Sequence, residues 1–101
     1  MGLNLTKNYS INFSINKRKK NSIKFIIIHY TGMRSEIAAI KKLTENSNVS
    51  SHYFIKSDGN IINMVPELFE AWHAGKSDWK DFRLLNKYSI GIEIHNPGHD
   101  H

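Results

Sequence analysis

Phe25-Ile26-Ile27-Ile28-His29-Tyr30-Thr31-Gly32 is the stretch on which the reading of this chain turns. A β-branched run this short, stopped by a glycine, reads as a strand rather than an independent helix, and its unbroken apolar character predicts burial on both faces. His29 sits where the strand ends. An imidazole at the mouth of a rigid strand has its rotamer fixed by the scaffold, which suits a metal ligand or a general base; the alternative is a core histidine hydrogen-bonded to backbone.

Working outward, residues 1–24 are rich in Asn, Ser and Lys and read as an amino-terminal arm, with Ile11, Phe13 and Ile15 alternating as one short edge strand. Beyond the central strand, Ser35 followed by Glu36 marks a helix start. Ile37, Ala38, Ile40 and Leu43 repeat at three- and four-residue spacing, predicting an amphipathic helix over 36–45 with Lys41 and Lys42 at its carboxy-terminal end. Two β-rich runs, 49–56 and 60–65, are joined through Ser57-Asp58-Gly59, and Asp-Gly between such runs signals an antiparallel hairpin. Pro66 ends the second strand, and Glu67 to Phe69 reads as one short turn. Residues 71–85 show neither period and carry Trp72, His73 and Trp79, so they pack on the sheet or line a cleft.

The last strand is predicted at Ser89-Ile90-Gly91-Ile92-Glu93-Ile94-His95, with Ile90, Ile92 and Ile94 on one face and Gly91, Glu93 and His95 on the other. A carboxylate inside so apolar a strand is either paired to a cation or imidazole, or held for chemistry with a raised pKa.

Bulk properties bound the function. A chain of 101 residues makes one domain, able to bury roughly 60–65% of its unfolded surface. With 40% hydrophobic and 11% aromatic residues it is an ordinary globule, and without cysteine it has no disulfide framework or thiolate metal site. Its formal charge of +5 is concentrated around Lys17-Arg18-Lys19-Lys20, a run without interleaved aromatics, so no nucleic-acid partner is expected. The sequence shows no signal-peptide core and no membrane-spanning run, and a cytoplasmic location is expected.

His29 and Glu93 together suggest a zinc hydrolase, with imidazole on the metal and carboxylate on the attacking water. His52 is read as structural. The closing His99-Asp100-His101 is read as a solvated tail, with divalent-ion binding as the alternative.

Taken in order, the central strand with His29-Tyr30-Thr31, Val49-Ser50-Ser51-His52-Tyr53, Asp58-Gly59, Ala71-Trp72-His73-Ala74-Gly75 and Ser89-Ile90-Gly91-Ile92-Glu93 resemble the N-acetylmuramoyl-L-alanine amidases of the type 2 amidase family. That family includes AmpD- and AmiD-like enzymes, phage lysozyme-type amidases and peptidoglycan recognition proteins. The resemblance implies an α/β fold, a mixed central β-sheet with flanking helices, spanning residues 25–101 as the amino-terminal part of an amidase domain. It implies zinc as cofactor and peptidoglycan or a muropeptide as substrate, with cleavage between the lactyl group of N-acetylmuramic acid and L-alanine. His29 matches the first zinc histidine, and Glu93 the carboxylate that takes the proton from the attacking water. Trp72, His73 and Asn96 match the substrate groove. Ser51 stands where phage lysozyme-type members carry a tyrosine, which places the chain nearer the AmpD-like enzymes. The family pattern continues with a covering helix, a second zinc histidine, a lysine and a third ligand, none of which follows here. The expectation is therefore a chain truncated at its carboxy-terminal side, with one sheet face wet, that self-associates or is complemented by a carboxy-terminal chain. A catalytically inactive muropeptide-binding fragment is the alternative.

Overall fold

The computed structural model describes residues 4–73 and 85–96. Its seven strands are β1 (Leu5–Lys7), β2 (Phe13–Ser14), β3 (Phe25–Tyr30), β4 (Tyr53–Ile55), β5 (Ile61–Asn63), β6 (Glu70–Ala71) and β7 (Ser89–Ile94), with helices α1 (Glu36–Thr44) and α2 (Leu85–Tyr88). Five strands form a mixed sheet in the order β1-β5-β4-β7-β3, while β2 and β6 pair separately. Strand β7, between β4 and β3, runs parallel to both, and β4 and β5 form the antiparallel hairpin.

Local chemistry explains the elements. Ser35 caps α1 by accepting from the Ala38 amide at 3.1 Å, and Glu36 lies in the first turn where the helix dipole favours an acid. Gly59 turns the hairpin with φ of +88°, a conformation that costs a glycine little. Phe69 donates to the Pro66 carbonyl at 2.9 Å, closing the turn expected there. Helix α1 lays Ala39 and Leu43 onto Phe54, Ile62 and Met64, with Met33, Ile40 and Val49 packed around them.

Three expectations need correction. Strand β3 is not buried on both faces: Phe25, Ile27 and His29 point towards the α1 side, but Ile26, Ile28 and Tyr30 are 67%, 54% and 64% exposed. β3 is an edge strand, and among the described residues nothing lies over its other face. The apolar run is equally compatible with one covered face or two, so pattern alone cannot separate them. The hairpin strands are also shorter than predicted, because Val49 to His52 leave the ladder to contact β6 and β7. The chain before residue 25 does more than hug the surface: β1 extends the main sheet in parallel with β5, and Asn12 is buried. The Asn12 amide nitrogen donates to the carbonyls of Glu45 and Val49 at 2.6 and 3.0 Å and to Ser47 Oγ at 3.0 Å, tying the arm to the end of α1.

The open side of the sheet gathers Ile26, Ile28 and Tyr30 beside Ile90, Ile92 and Ile94, with Tyr53, Ile55, Ile61 and Leu5 continuing it across the other strands. Among the described residues Leu5, Ile26, Ile28 and Tyr30 are exposed on this face. Trp79 and the His99-Asp100-His101 tail lie outside the described residues. Among the described residues no helix is long and apolar enough to cross a membrane.

Candidate functional site

Parallel pairing of β3 with β7 sets His29 directly opposite Glu93, and alternation turns both side chains to the α1 side. They share a cleft of about 200 Å³ whose wall also includes Tyr30, Thr31, Met33, Lys42, Ser50 and His73. Two residues separated by most of the chain thus meet because their strands are hydrogen-bonded in this register.

Electrostatics distinguish the two. Burial raises the Glu93 pKa, with Lys42 pulling the other way, so its carboxyl holds a proton more readily than a solvated one. Burial lowers the His29 pKa, favouring the neutral ring. A half-buried carboxylate of raised basicity beside a neutral imidazole is a workable proton acceptor and a workable ligand in one cleft.

His73 is held more tightly. Its Nδ1 lies 3.0 Å from His29 Nε2, its Nε2 lies 3.0 Å from Ser89 Oγ, and its backbone amide donates to the Asn86 side chain at 3.2 Å. Burial first, then the neighbouring His29, His52 and Arg18, push its pKa down to about 3. The ring lies where a Cβ on residue 91 would be, so the glycine of β7 makes room for it.

His52 fits its structural reading. Its backbone N–H donates to the Gly91 carbonyl and its Nδ1 accepts from the Gly91 N–H, both at 3.0 Å, while its Nε2 donates to the Phe69 carbonyl at 2.7 Å. The Arg18 guanidinium closes over it, donating to the carbonyls of Glu67 and Asn86 at 2.7 and 2.8 Å. Wholly buried, with burial as the leading cause, His52 has its pKa lowered to about 4.

The other sequence-assigned residues lie elsewhere. The Trp72 indole donates to Ser14 Oγ at 3.1 Å, which turns it towards the small β2–β6 sheet, and Trp72 is not in the cleft wall. Asn96 follows β7; its carbonyl accepts from the Gly32 amide at 2.8 Å and its amide donates to Thr31 Oγ1 at 3.1 Å, clasping the loop between β3 and α1. Lys42 and Ser89 had no assigned part in the sequence reading. Lys42 follows Lys41 at the end of α1, where a lysine reads as a dipole partner, and the sequence offers no signal that sets it over the cleft.

A catalytic zinc centre takes three protein donors and leaves a fourth position open. Among the described residues no group of three His, Cys, Asp or Glu could hold a metal ion, and both His73 nitrogens are already engaged. What the described residues offer is one imidazole, His29, with the Glu93 carboxylate across from it.

A sequence model of the N-acetylmuramoyl-L-alanine amidase family matches residues 19–101. The chain belongs to that family. Among curated relatives, AmiD of Escherichia coli is 40% identical over 83 residues, which make up 75% of this chain and 29% of AmiD. The solved structure of that amidase in complex with anhydro-N-acetylmuramic acid-L-Ala-D-gamma-Glu-L-Lys superposes with a TM-score of 0.66, covering 76% of this chain and 32% of the other. AmpDh3 of Pseudomonas aeruginosa, 31% identical, gives a TM-score of 0.69 over 92% of this chain and 42% of its own. The amidase fold is thus present in a chain that spans less than a third of AmiD. The mixed sheet with flanking helices is the architecture expected from the motifs.

Proposed function

We propose that this chain forms the His29–Glu93 side of an active site that hydrolyses the amide between N-acetylmuramic acid and L-alanine in peptidoglycan or muropeptides, with zinc as cofactor. The observation that carries the reading is the in-register placement of Glu93, with its raised pKa, opposite His29 in one cleft. The likeness to AmiD, whose structure holds a muropeptide, supports the substrate class.

Glu93 acts as the base, taking a proton from water as the amide carbonyl is attacked and returning it to the departing amine. Desolvation brings its basicity closer to neutral pH, where a proton acceptor works best. Lys42 on the cleft wall offsets the negative charge that accumulates. His29 is the residue that would hold zinc, and the remaining donors would come from outside the described residues. Zinc, when bound, supplies Lewis-acid polarisation of the amide carbonyl.

The test is zinc content and muramoyl–L-alanine cleavage by this chain, alone and mixed with the carboxy-terminal half of an AmiD-like amidase domain. The reading expects cleavage in the mixture and a loss of about 10²–10⁴-fold on Glu93→Gln with zinc content unchanged. Muropeptide binding without zinc or cleavage in either preparation would replace it with a binding function.

A further inference from the structure

The hydrogen bonds that run from Leu85 to His29 have only one consistent direction. A backbone carbonyl can only accept, so the Ser89 hydroxyl donates its single proton to the Leu85 carbonyl 2.6 Å away. Ser89 Oγ is then left as an acceptor, and His73 Nε2, 3.0 Å from it, must carry a proton. In a neutral ring the second nitrogen, Nδ1, is unprotonated and accepts from His29 Nε2–H at 3.0 Å. In a neutral His29 the lone pair therefore lies on Nδ1, which takes no hydrogen bond among the described residues.

The packing agrees with a fixed relay. Ser89 is wholly buried at the start of β7. The His73 ring sits over Gly91, where a larger residue would displace it. The Gly91 backbone is in turn pinned on both polar groups by His52. Each member is held by contacts that do not involve the cleft contents.

We infer that Ser89 and His73 are positioning residues that lock His29 in the Nε2–H tautomer, so that the unprotonated Nδ1 is the nitrogen presented to a cation or a proton in the cleft. The inference deepens the reading of the His29–Glu93 site and reassigns His73 from substrate contact to orientation. A histidine that ligates through one nitrogen commonly donates its other N–H to a fixed acceptor, which raises its basicity and sets its plane. Here the acceptor is a second imidazole, itself set by a serine.

The experiment is imidazole ¹⁵N NMR of the full chain labelled at histidine, without metal or substrate, at a pH where His29 is neutral. The expected spectrum shows pyrrole-type Nε2 and pyridine-type Nδ1 for both His29 and His73. Ser89→Ala should release His73 into a mixture of tautomers, with His29 following. Ser89→Cys, which keeps the volume and weakens the acceptor, should give a smaller shift in the same direction. A proton on His29 Nδ1, an imidazolium at His73, or unaltered tautomers in Ser89→Ala would overturn the lock; the first two are read on the unsubstituted chain and do not depend on a variant folding. Because the tautomers are read without catalysis, a chain that lacks amidase activity but shows the expected spectrum would remove the proposed function and leave the lock standing.

Discussion

Replacing Gly91 with alanine tests the packing beneath the site with a single methyl group. A Cβ at this position would lie 2.5 Å from His73 Cδ2 and 2.7 Å from Nδ1, and closer still to Cγ. Ordinary carbon–carbon contact is about 3.5–4.0 Å, so one partner must shift by more than an ångström. The backbone of β7 cannot easily give way, because β7 is hydrogen-bonded to strands on both sides and Gly91 is held by His52. The ring is what moves, and its bonds to His29 and Ser89 are lost. Overpacking of this kind costs about 1–3 kcal/mol, and each lost bond adds about 1 kcal/mol. Alanine recovers about 0.5–1 kcal/mol over glycine in a strand. The net expectation is roughly 2–4 kcal/mol, at about 4–8 °C of melting temperature per kcal/mol for a domain of this size. Thermal and urea unfolding followed by circular dichroism measure it. The double variant Gly91→Ala/His73→Ala removes the obstructing ring and should be less destabilised than the sum of the two single changes, by at least about 1 kcal/mol. Additive effects, or an alanine variant as stable as the parent, would refute the steric account.

Acid should weaken the fold through His52. Its folded pKa, about 4, lies below the unfolded 6.5, so its contribution is complete above 6.5 and is lost as pH falls from there towards 4, costing about 2 kcal/mol by about pH 5. Glu93, whose pKa is raised, acts in the opposite sense above 4.5, so the His52 share is read as the difference in acid sensitivity between the parent and His52→Gln in urea titrations; equal sensitivity would count against it. Asn12→Ala should cost about 2–4 kcal/mol, since it strips partners from the carbonyls of Glu45 and Val49, and a loss under about 0.5 kcal/mol would show that the arm is not anchored there. On the open face, Ile26→Lys with Ile28→Lys should leave urea unfolding within about 0.5 kcal/mol of the parent, because both side chains are largely exposed. A loss above about 1 kcal/mol would show that these isoleucines are packed in the folded chain.

What the sequence disclosed divides along physical lines. The Ser35 cap, the Asp58-Gly59 turn and the alternation in 89–95 are local signals, and the structure places α1, the β4–β5 hairpin and β7 where they point. His29 and Glu93 were readable as polar residues in apolar strands, each needing a reason to be there. Their meeting depends on register across a long separation, which motif order indicates but spacing does not. Leu5-Thr6-Lys7 carries no strand pattern, and its place at the sheet edge comes from pairing with β5. The partners of Asn12, like the relay through His73, are wholly tertiary, so an asparagine in a polar arm and a histidine beside a tryptophan give no hint of them.

The edge position of β3 bears on how the cleft behaves over time. Among the described residues β3 is bound to the sheet through β7 alone, so the strand that carries His29 can fray without disturbing the hairpin or the packing of α1 on Phe54. The fraction of molecules with His29 opposite Glu93 is then set by the free energy of this local opening, which lies below that of global unfolding. Amide exchange at residues 26–30 would report that population directly. Any chain or ligand that binds along the free edge of β3 would raise the fraction of competent sites without touching a catalytic group.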